Sequence, residues 1–285
     1  MSLTHLQFGD LHLSIHSHGA EMQQLSYKGK QILWEKDENY WNRIAPILFP
    51  IVGRLKNDEY EYLQKTYKML QHGFARNANF QVKEIKADEV FFGLTNNHET
   101  FEVYPFEFEL SIQYKLEDAK LSVNHTVKNT SNHTILPFSI GAHPGFKLQK
   151  PIESYALVFD SYGVKNRHLI ADGLYSGMAE SMEIPEKGLV LKESLFESDA
   201  LVFKNEGISS VTMLEEGIPQ LRVKAKDTPY WGIWKKQNAP FICIEPWQGI
   251  ADSFSSTGVL LEKEGLILLP PNQEHTFNYT IEFLT

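Results

Sequence analysis

The chain has 285 residues and a net charge of -9, which argues against a general affinity for nucleic acid or an anionic membrane surface. Apolar residues make up 42% and charged residues 22%, the balance of a globular protein with a sizeable core. The one cysteine, Cys243, leaves no intramolecular disulfide to form and fits a reducing cytoplasm, the compartment expected here.

The segment from Met1 to Asp10 has no basic start followed by an apolar stretch, so no secretory signal is expected. No window approaches the roughly eighteen apolar residues of a membrane span. Alternating or short apolar runs then follow one another along the whole chain. In order, strands are expected at Leu11–Ile15, Gln31–Trp34, Tyr60–Leu63, Tyr67–Leu70, Phe80–Ile85 and Val90–Leu94. Phe106 to Leu116 is apolar at every second position and is followed, after Glu117-Asp118-Ala119-Lys120, by Leu121, Val123, His125 and Val127. This pattern is that of a long antiparallel hairpin with one wet face. Ile135–Ile140, Ala156–Phe159, Ala200–Phe203, Val211–Leu214, Leu221–Ala225, Tyr230–Trp234 and Phe241–Glu245 continue the series, and Phe277, Tyr279, Ile281 and Phe283 close it. Helical signal is confined to Tyr40–Arg43 and Ser194–Ser198, the latter with Ser194 as a possible N-cap. Gly163–Leu191 is looser and more polar and reads as a surface excursion. Many even strands without long helices predict an all-β fold, a large antiparallel β-sandwich or barrel, in one domain spanning residues 1–285.

Four segments could carry chemistry. Pro46-Ile47-Leu48-Phe49-Pro50-Ile51-Val52 is a stiff apolar run that delivers Gly53-Arg54, whose guanidinium is a planar fork for hydroxyls or a carboxylate. It also fits a surface arginine after a packed loop. Gln71-His72-Gly73-Phe74-Ala75-Arg76 places an imidazole at a turn, as a ligand or as a cap, with Arg76 as a second polar anchor. Gly141-Ala142-His143-Pro144-Gly145-Phe146 holds His143 in extended backbone by the following proline. In Phe241-Ile242-Cys243-Ile244-Glu245-Pro246-Trp247, period 2 sets Glu245 on the face of Cys243, opposite Ile242 and Ile244. Desolvation there raises the pKa of a carboxylate toward the range of a general base, although a structural ion pair would also hold a glutamate at this place. Pro246 cannot donate to a ladder, so pairing is expected to weaken after Glu245. Trp247 offers a flat surface to sugar C–H faces or to the core, and Trp231 and Trp234 in Tyr230-Trp231-Gly232-Ile233-Trp234 carry the same ambiguity.

Other chemistries find little support. There is no Gly-rich phosphate loop. Cys243 has no CxxC partner, and His16 and His18, two apart, lack further ligands. A hydrolase would need a second carboxylate near Glu245, for which Asp252 is the candidate.

Taken in order and spacing, Gly53-Arg54, His72-Gly73, His143-Pro144-Gly145 and Glu245-Pro246-Trp247 resemble the motifs of the aldose 1-epimerase (galactose mutarotase) superfamily, and the local wording resembles its LacX-like branch. The resemblance covers essentially the whole chain. It implies a galactose mutarotase-like supersandwich, a small-molecule sugar as substrate, and isomerase chemistry: interconversion of the α and β anomers of a free hexose. By the same resemblance Glu245 is the base at the anomeric hydroxyl and His143 the acid at the ring oxygen, while Arg54, His72, Arg76 and Trp247 bind the substrate. Ring opening and closure move protons only, so no metal or cofactor is required. The galactose-specific members fix sugar hydroxyls with an aspartate that has no matching motif here; Asp160 and Asp172 lie in a plausible region. Two alternatives stay open: a non-catalytic carbohydrate-binding protein on the same fold, and a hexose-6-phosphate mutarotase using Arg76, Arg167 or Arg222.

Overall fold

The computed structural model describes residues 2–284. Two large sheets dominate, and every ladder between named strands is antiparallel among the described residues. The first is nine-stranded, in the spatial order Leu189–Val190, Tyr155–Phe159, Ser210–Glu215, Ile218–Ala225, Glu274–Phe283, Lys120–Asn129, Phe108–Glu117, Glu89–Thr95 and Gln81–Ile85. The second is eight-stranded: Leu174–Ile184, Gly163–Ala171, Leu201–Lys204, Tyr230–Trp234, Phe241–Gln248, Ile140–Ala142 and Ile47–Leu48, with Gly145–Lys147 also paired to Phe241–Gln248. A four-stranded sheet at the N-terminal end, a hairpin of Glu59–Tyr62 with Lys65–Lys68, and a two-stranded ladder between Leu136–Phe138 and Ile267–Leu269 complete the fold.

Side-chain alternation explains how the large sheets pack. In Phe108–Glu117 and Lys120–Asn129 alternate residues are buried, with Phe108 opposite Asn129 and Glu117 opposite Lys120, as period 2 requires of a half-wet sheet. The inner faces of both sheets share one core, in which Val123 and Ile281 of the first sheet cluster with Trp231, Ile233, Ile242 and Ile244 of the second. Phe159 and Phe203 meet across the two sheets at 5.6 Å, edge to face, a favoured aromatic geometry. The other face of Phe241–Gln248 carries Cys243, Glu245 and Trp247, which fall outside that core. One strand therefore supplies the core with its even positions and the site with its odd ones.

Several expectations need correction. Gly163–Leu191 is no loose excursion: Gly163–Ala171 and Leu174–Ile184 form the edge hairpin of the second sheet. Its polarity reflects exposure, with Val164 and Met178 both turned to solvent. Asp172 and Gly173, at φ 52° and 76°, make the Asp-Gly turn that favours a tight hairpin. Tyr40–Arg43 is a turn and not a helix, and the short 3-10 turn near Ser194 spans Glu193–Phe196 with Lys192 at its N-cap and no side-chain cap. The α-helix that does form, His98–Val103, is set by a capping box between Asn97 and Thr100.

Pairing does not stop at Pro246 either. The strand runs on to Gln248, with Cys243–Trp247 paired to Tyr230–Trp234 and Gln248 to Ile140. Its opposite ladder is thinned instead. The Ile244 N–H reaches the Pro144 carbonyl at 3.4 Å, so Pro246, two residues on, turns its missing donor to the same side. Pro144 lacks a donor as well. These two prolines loosen the sheet where His143 crosses Glu245.

Candidate active site

Register places His143 against Glu245. Gly141 lies opposite Trp247 and Gly145 opposite Cys243, which sets His143 across from Glu245 between them. The His143 Nε2 is 3.2 Å from Glu245 Oε2, a close contact whose alignment is not that of a hydrogen bond, and both Glu245 oxygens and the buried His143 Nδ1 have no hydrogen-bond partner. Both residues are buried, Glu245 to 1% exposure and His143 to 8%, yet both line a cavity of about 610 Å³.

Burial is the main electrostatic influence on this pair. It pushes the Glu245 carboxyl well above the usual carboxylate range, against a smaller downward pull from the nearby Trp247 indole N–H and with the Asp199 charge adding to the rise, because a desolvated carboxylate favours its neutral form. Burial also pushes His143 down to about 3. Both groups are thereby favoured neutral: the carboxyl keeps its proton and the imidazole takes no second one. Aromatic rings hold the imidazole: Trp41 stacks on it at 4.9 Å, and Trp234 and His72 meet it edge-on at 5.6 and 5.7 Å.

His72 and Gly53 fix each other. The His72 N–H donates to the Gly53 carbonyl at 2.8 Å, and the Gly53 N–H donates to His72 Nδ1 at 3.1 Å. That second bond sets the tautomer, with Nε2 carrying the proton. Desolvation drives the His72 pKa well down, so this ring is a neutral donor. Gly53 sits at φ 76°, where an added Cβ would lie 2.5 Å from Ala251; only glycine fits.

Arg54 reaches the cavity wall with its fork already occupied. Its Nε and Nη2 donate to the two Asp58 carboxylate oxygens at 2.8 Å each, and Nη1 donates to the Asp172 carbonyl at 3.2 Å. Arg76 also lines the cavity, donating from Nη2 to the Gln71 carbonyl at 2.6 Å and leaving a buried Nε unpartnered. Trp247 lies across two glycines: a Cβ on Gly141 or Gly232 would come within 2.7 or 2.5 Å of its ring. Its indole N–H lies near the Glu245 carboxyl without closing a well-aligned hydrogen bond, and its ring forms part of the cavity wall.

Residues Glu245, His143, Arg54, His72, Arg76 and Trp247 therefore share one cavity. Sequence reading missed two others on its wall, Trp41 and Asp199, and had left Trp234 open between stacking and packing. Trp41 and Trp234 supply aromatic faces, and Asp199 supplies a carboxylate at φ 69°, its Oδ1 accepting the Ala200 N–H at 2.7 Å. No motif flanks Asp199; an aspartate just before an apolar strand was the one available signal. Of the two aspartates considered, Asp172 reaches the cavity rim, whereas Asp160 is taken up by the Ser209 and Ser210 N–H groups.

Other candidates lie elsewhere. Arg167 pairs with Glu180 beside Phe203 on the core side of the sheet, and Arg222 belongs to the nine-stranded sheet with Thr212 and Glu282. Asp252 is no second carboxylate for hydrolysis. It is buried against Lys263 Nζ at 3.1 Å and accepts the Lys56 N–H at 3.0 Å. The His18 N–H donates to His16 Nδ1 at 2.9 Å, with no third ligand near among the described residues. Three possible metal donors do converge among those residues, from His143, Cys243 and Glu245, all within 4.8 Å of one another.

Comparison with known proteins points to one family. The family model for aldose 1-epimerase matches residues 2–281. The chain is 30% identical to the chromosomal protein LacX of Lactococcus lactis, over 93% of this chain and 94% of that one. Among solved structures it is similar to a galactose mutarotase related enzyme from Lactobacillus acidophilus, at 33% identity and a TM-score of 0.93, covering 100% of this chain and 98% of that one. A galactose mutarotase-like protein from Lactobacillus casei superposes with a TM-score of 0.89 at 28% identity, covering 99% of this chain and 100% of that one.

Proposed function

The chain belongs to the aldose 1-epimerase family, and from that premise we propose that it interconverts the α and β anomers of a free hexose by acid–base ring opening and closure. The observation that carries this reading is the buried Glu245–His143 pair, facing at 3.2 Å on the wall of one cavity. In the opening step Glu245 takes the proton of the anomeric hydroxyl while His143 gives one to the ring oxygen. The C1–O5 bond breaks, the C1–C2 bond turns, and closure on the other face reverses both transfers. Each group contributes about 10²–10⁴-fold.

The proton arrangement favoured by burial gives the pair a specific place in this cycle. A protonated Glu245 and a neutral His143 are the forms needed at the ring-opened stage: the acid returns a proton to O1 and the imidazole takes one from the O5 hydroxyl. Transfer of that single proton from Glu245 to His143 yields the opening form, so one proton serves both directions.

His72 Nε2 and Arg76 donate to sugar oxygens, Asp199 accepts from hydroxyls, and Trp247 with Trp234 covers the apolar ring face. A neutral sugar fits better than a phosphorylated one. Asp58 already fills the Arg54 fork, and the cavity wall carries Asp58, Asp172 and Asp199 against Arg54 and Arg76. Arg167 and Arg222 lie away from it.

Polarimetry or anomer-exchange NMR on α-glucose, α-galactose and their 6-phosphates tests the reading. The wild type accelerates exchange of a free hexose, and Glu245→Gln loses about 10²–10⁴-fold. Tight sugar binding without exchange above background would replace the enzyme with a binding protein. Equal rates for both proteins would remove Glu245 from the mechanism.

A further inference from the structure

We propose that Cys243, Glu245 and His143 form a binding site for a thiophilic divalent cation of the zinc class, reached through the sugar cavity. Cys243 and Glu245 stand two residues apart on one face of Phe241–Gln248, and His143 crosses opposite Glu245. The sheet thus presents one sulfur, one oxygen and one nitrogen donor to a common point, all within 4.8 Å of one another.

Geometry and donor chemistry select the metal. Zinc bonds of about 2.0–2.3 Å to nitrogen, oxygen and sulfur place tetrahedral ligands roughly 3.4–3.6 Å apart. The His143–Glu245 contact of 3.2 Å is close to that spacing, and the thiol needs an approach of about 1 Å, within reach of a side-chain rotation. Magnesium and calcium demand all-oxygen shells, whereas a sulfur–nitrogen–oxygen set suits zinc or cobalt. Three protein donors leave a fourth tetrahedral position, as open zinc sites do.

A second observation points to a ligand here. Neither oxygen of Glu245 has a well-aligned hydrogen bond although the side chain is 1% exposed; the Trp247 indole N–H lies near the carboxyl without closing one. A buried unsatisfied carboxyl is costly, and a cation is the ligand that would satisfy it most fully. Binding releases protons from the thiol and the carboxyl, since metal ligands act deprotonated. The cation would occupy both the base and the acid of the reaction proposed above, so it inhibits that reaction and does not assist it. Only this consequence rests on the functional reading; the metal site stands apart from it.

Cobalt(II) titration of the whole protein tests the site. Cys243 is the chain's one cysteine, so a thiolate-to-cobalt charge-transfer band reports it alone, whatever the surface histidines bind. The wild type develops that band at one cobalt per chain. Cys243→Ala loses the band and weakens cobalt binding at least about tenfold, the lower end of what removing even an outer partner costs a metal site. Cys243→Ser replaces it if the alanine protein fails to fold. Inhibition of anomer exchange by zinc(II) then requires at least about tenfold more metal in the same variant. No thiolate band in the wild type, or the same zinc sensitivity in the variant, overturns the proposal. If no sugar is exchanged by the wild type, the functional reading fails and the cobalt band still decides the metal site.

Discussion

Two buried histidines, one in each large sheet, show how the fold separates structure from site. His125 points into the core from Lys120–Asn129, beside Phe277 and Tyr279, and its Nδ1 is 3.1 Å from the Phe277 carbonyl. His143 is buried in the second sheet, yet its Nδ1 has no partner and its Nε2 faces Glu245. Desolvation depresses both, to about 4 and about 3. They differ in hydrogen bonding. Buried polar groups in a finished structure are nearly always paired. Around His143 several are not: Glu245, the Trp247 indole and the Arg76 Nε are also unpartnered. Gln31, Arg167 and Thr280 each carry such atoms elsewhere, and nothing in the structure explains those three. The cluster in one cavity is what marks a place for a ligand.

That contrast is broken or sharpened first by removing each ring. His143→Ala should lower anomer exchange by about 10²–10⁴-fold and cost less stability than loss of the core histidine, because its ring lines a cavity and its Nδ1 satisfies no partner. His125→Ala should do the reverse. It opens a cavity in the core and leaves the Phe277 carbonyl short of a partner, a loss of about 2–5 kcal/mol in denaturant unfolding, with exchange kinetics retained. If His125→Ala abolished exchange at full stability, the division between the two sheets would be false.

The pH dependence of stability isolates the structural histidine. Above pH 6.5 the folded and unfolded chains both hold His125 neutral, and its full contribution is present. As pH falls, the unfolded chain takes a proton at the ordinary value near 6.5, whereas the folded chain resists until about 4. Stability is therefore lost between those values, by about 3 kcal/mol at most for this one group. His72 and His143 are shifted the same way, so the wild type alone cannot apportion the loss. The difference between wild type and His125→Ala can: their unfolding free energies should converge by about 3 kcal/mol from pH 7 to pH 4. Parallel curves would mean that His125 is charged or solvated in the fold.

Much of this architecture is legible in the sequence, for reasons that also explain the misses. The hairpin of Phe108–Glu117 with Lys120–Asn129 was readable because one face is dry and the other wet, which writes period 2 into the chain. The same rule put Glu245 and Cys243 on one face. It failed for Gly163–Ala171 and Leu174–Ile184, where solvent meets much of the hairpin and no alternation is imposed; the Asp172-Gly173 turn was the signal there. Trp41 lies in a turn whose local spacing imitates a helix, and its stacking on His143 joins residues far apart in the chain. Asp199 is a lone loop aspartate whose importance comes only from what folds around it. Motif order picked out the pair proposed as acid and base and several residues of the cavity they share, but not the partners that decide how each side chain can act.

Arg54 gives the smallest test and the finest one. It shares the cavity with Glu245 and His143, yet it resembles His125 in being fully engaged, held by both Asp58 oxygens and the Asp172 carbonyl. By the rule drawn from the histidines it shapes the site and does not react. Asp58→Asn should therefore raise KM for a free hexose by less than about tenfold, the worth of one good hydrogen bond, with kcat nearly unchanged. The same change removes a carboxylate from the rim and releases part of the guanidinium fork. Hexose 6-phosphates should then compete better against the free sugar than they do in the wild type, because an uncompensated arginine prefers a phosphate. A fall in kcat as large as that of Glu245→Gln would place Arg54 among the reacting groups, and hydrogen-bond satisfaction would no longer divide this site from its scaffold.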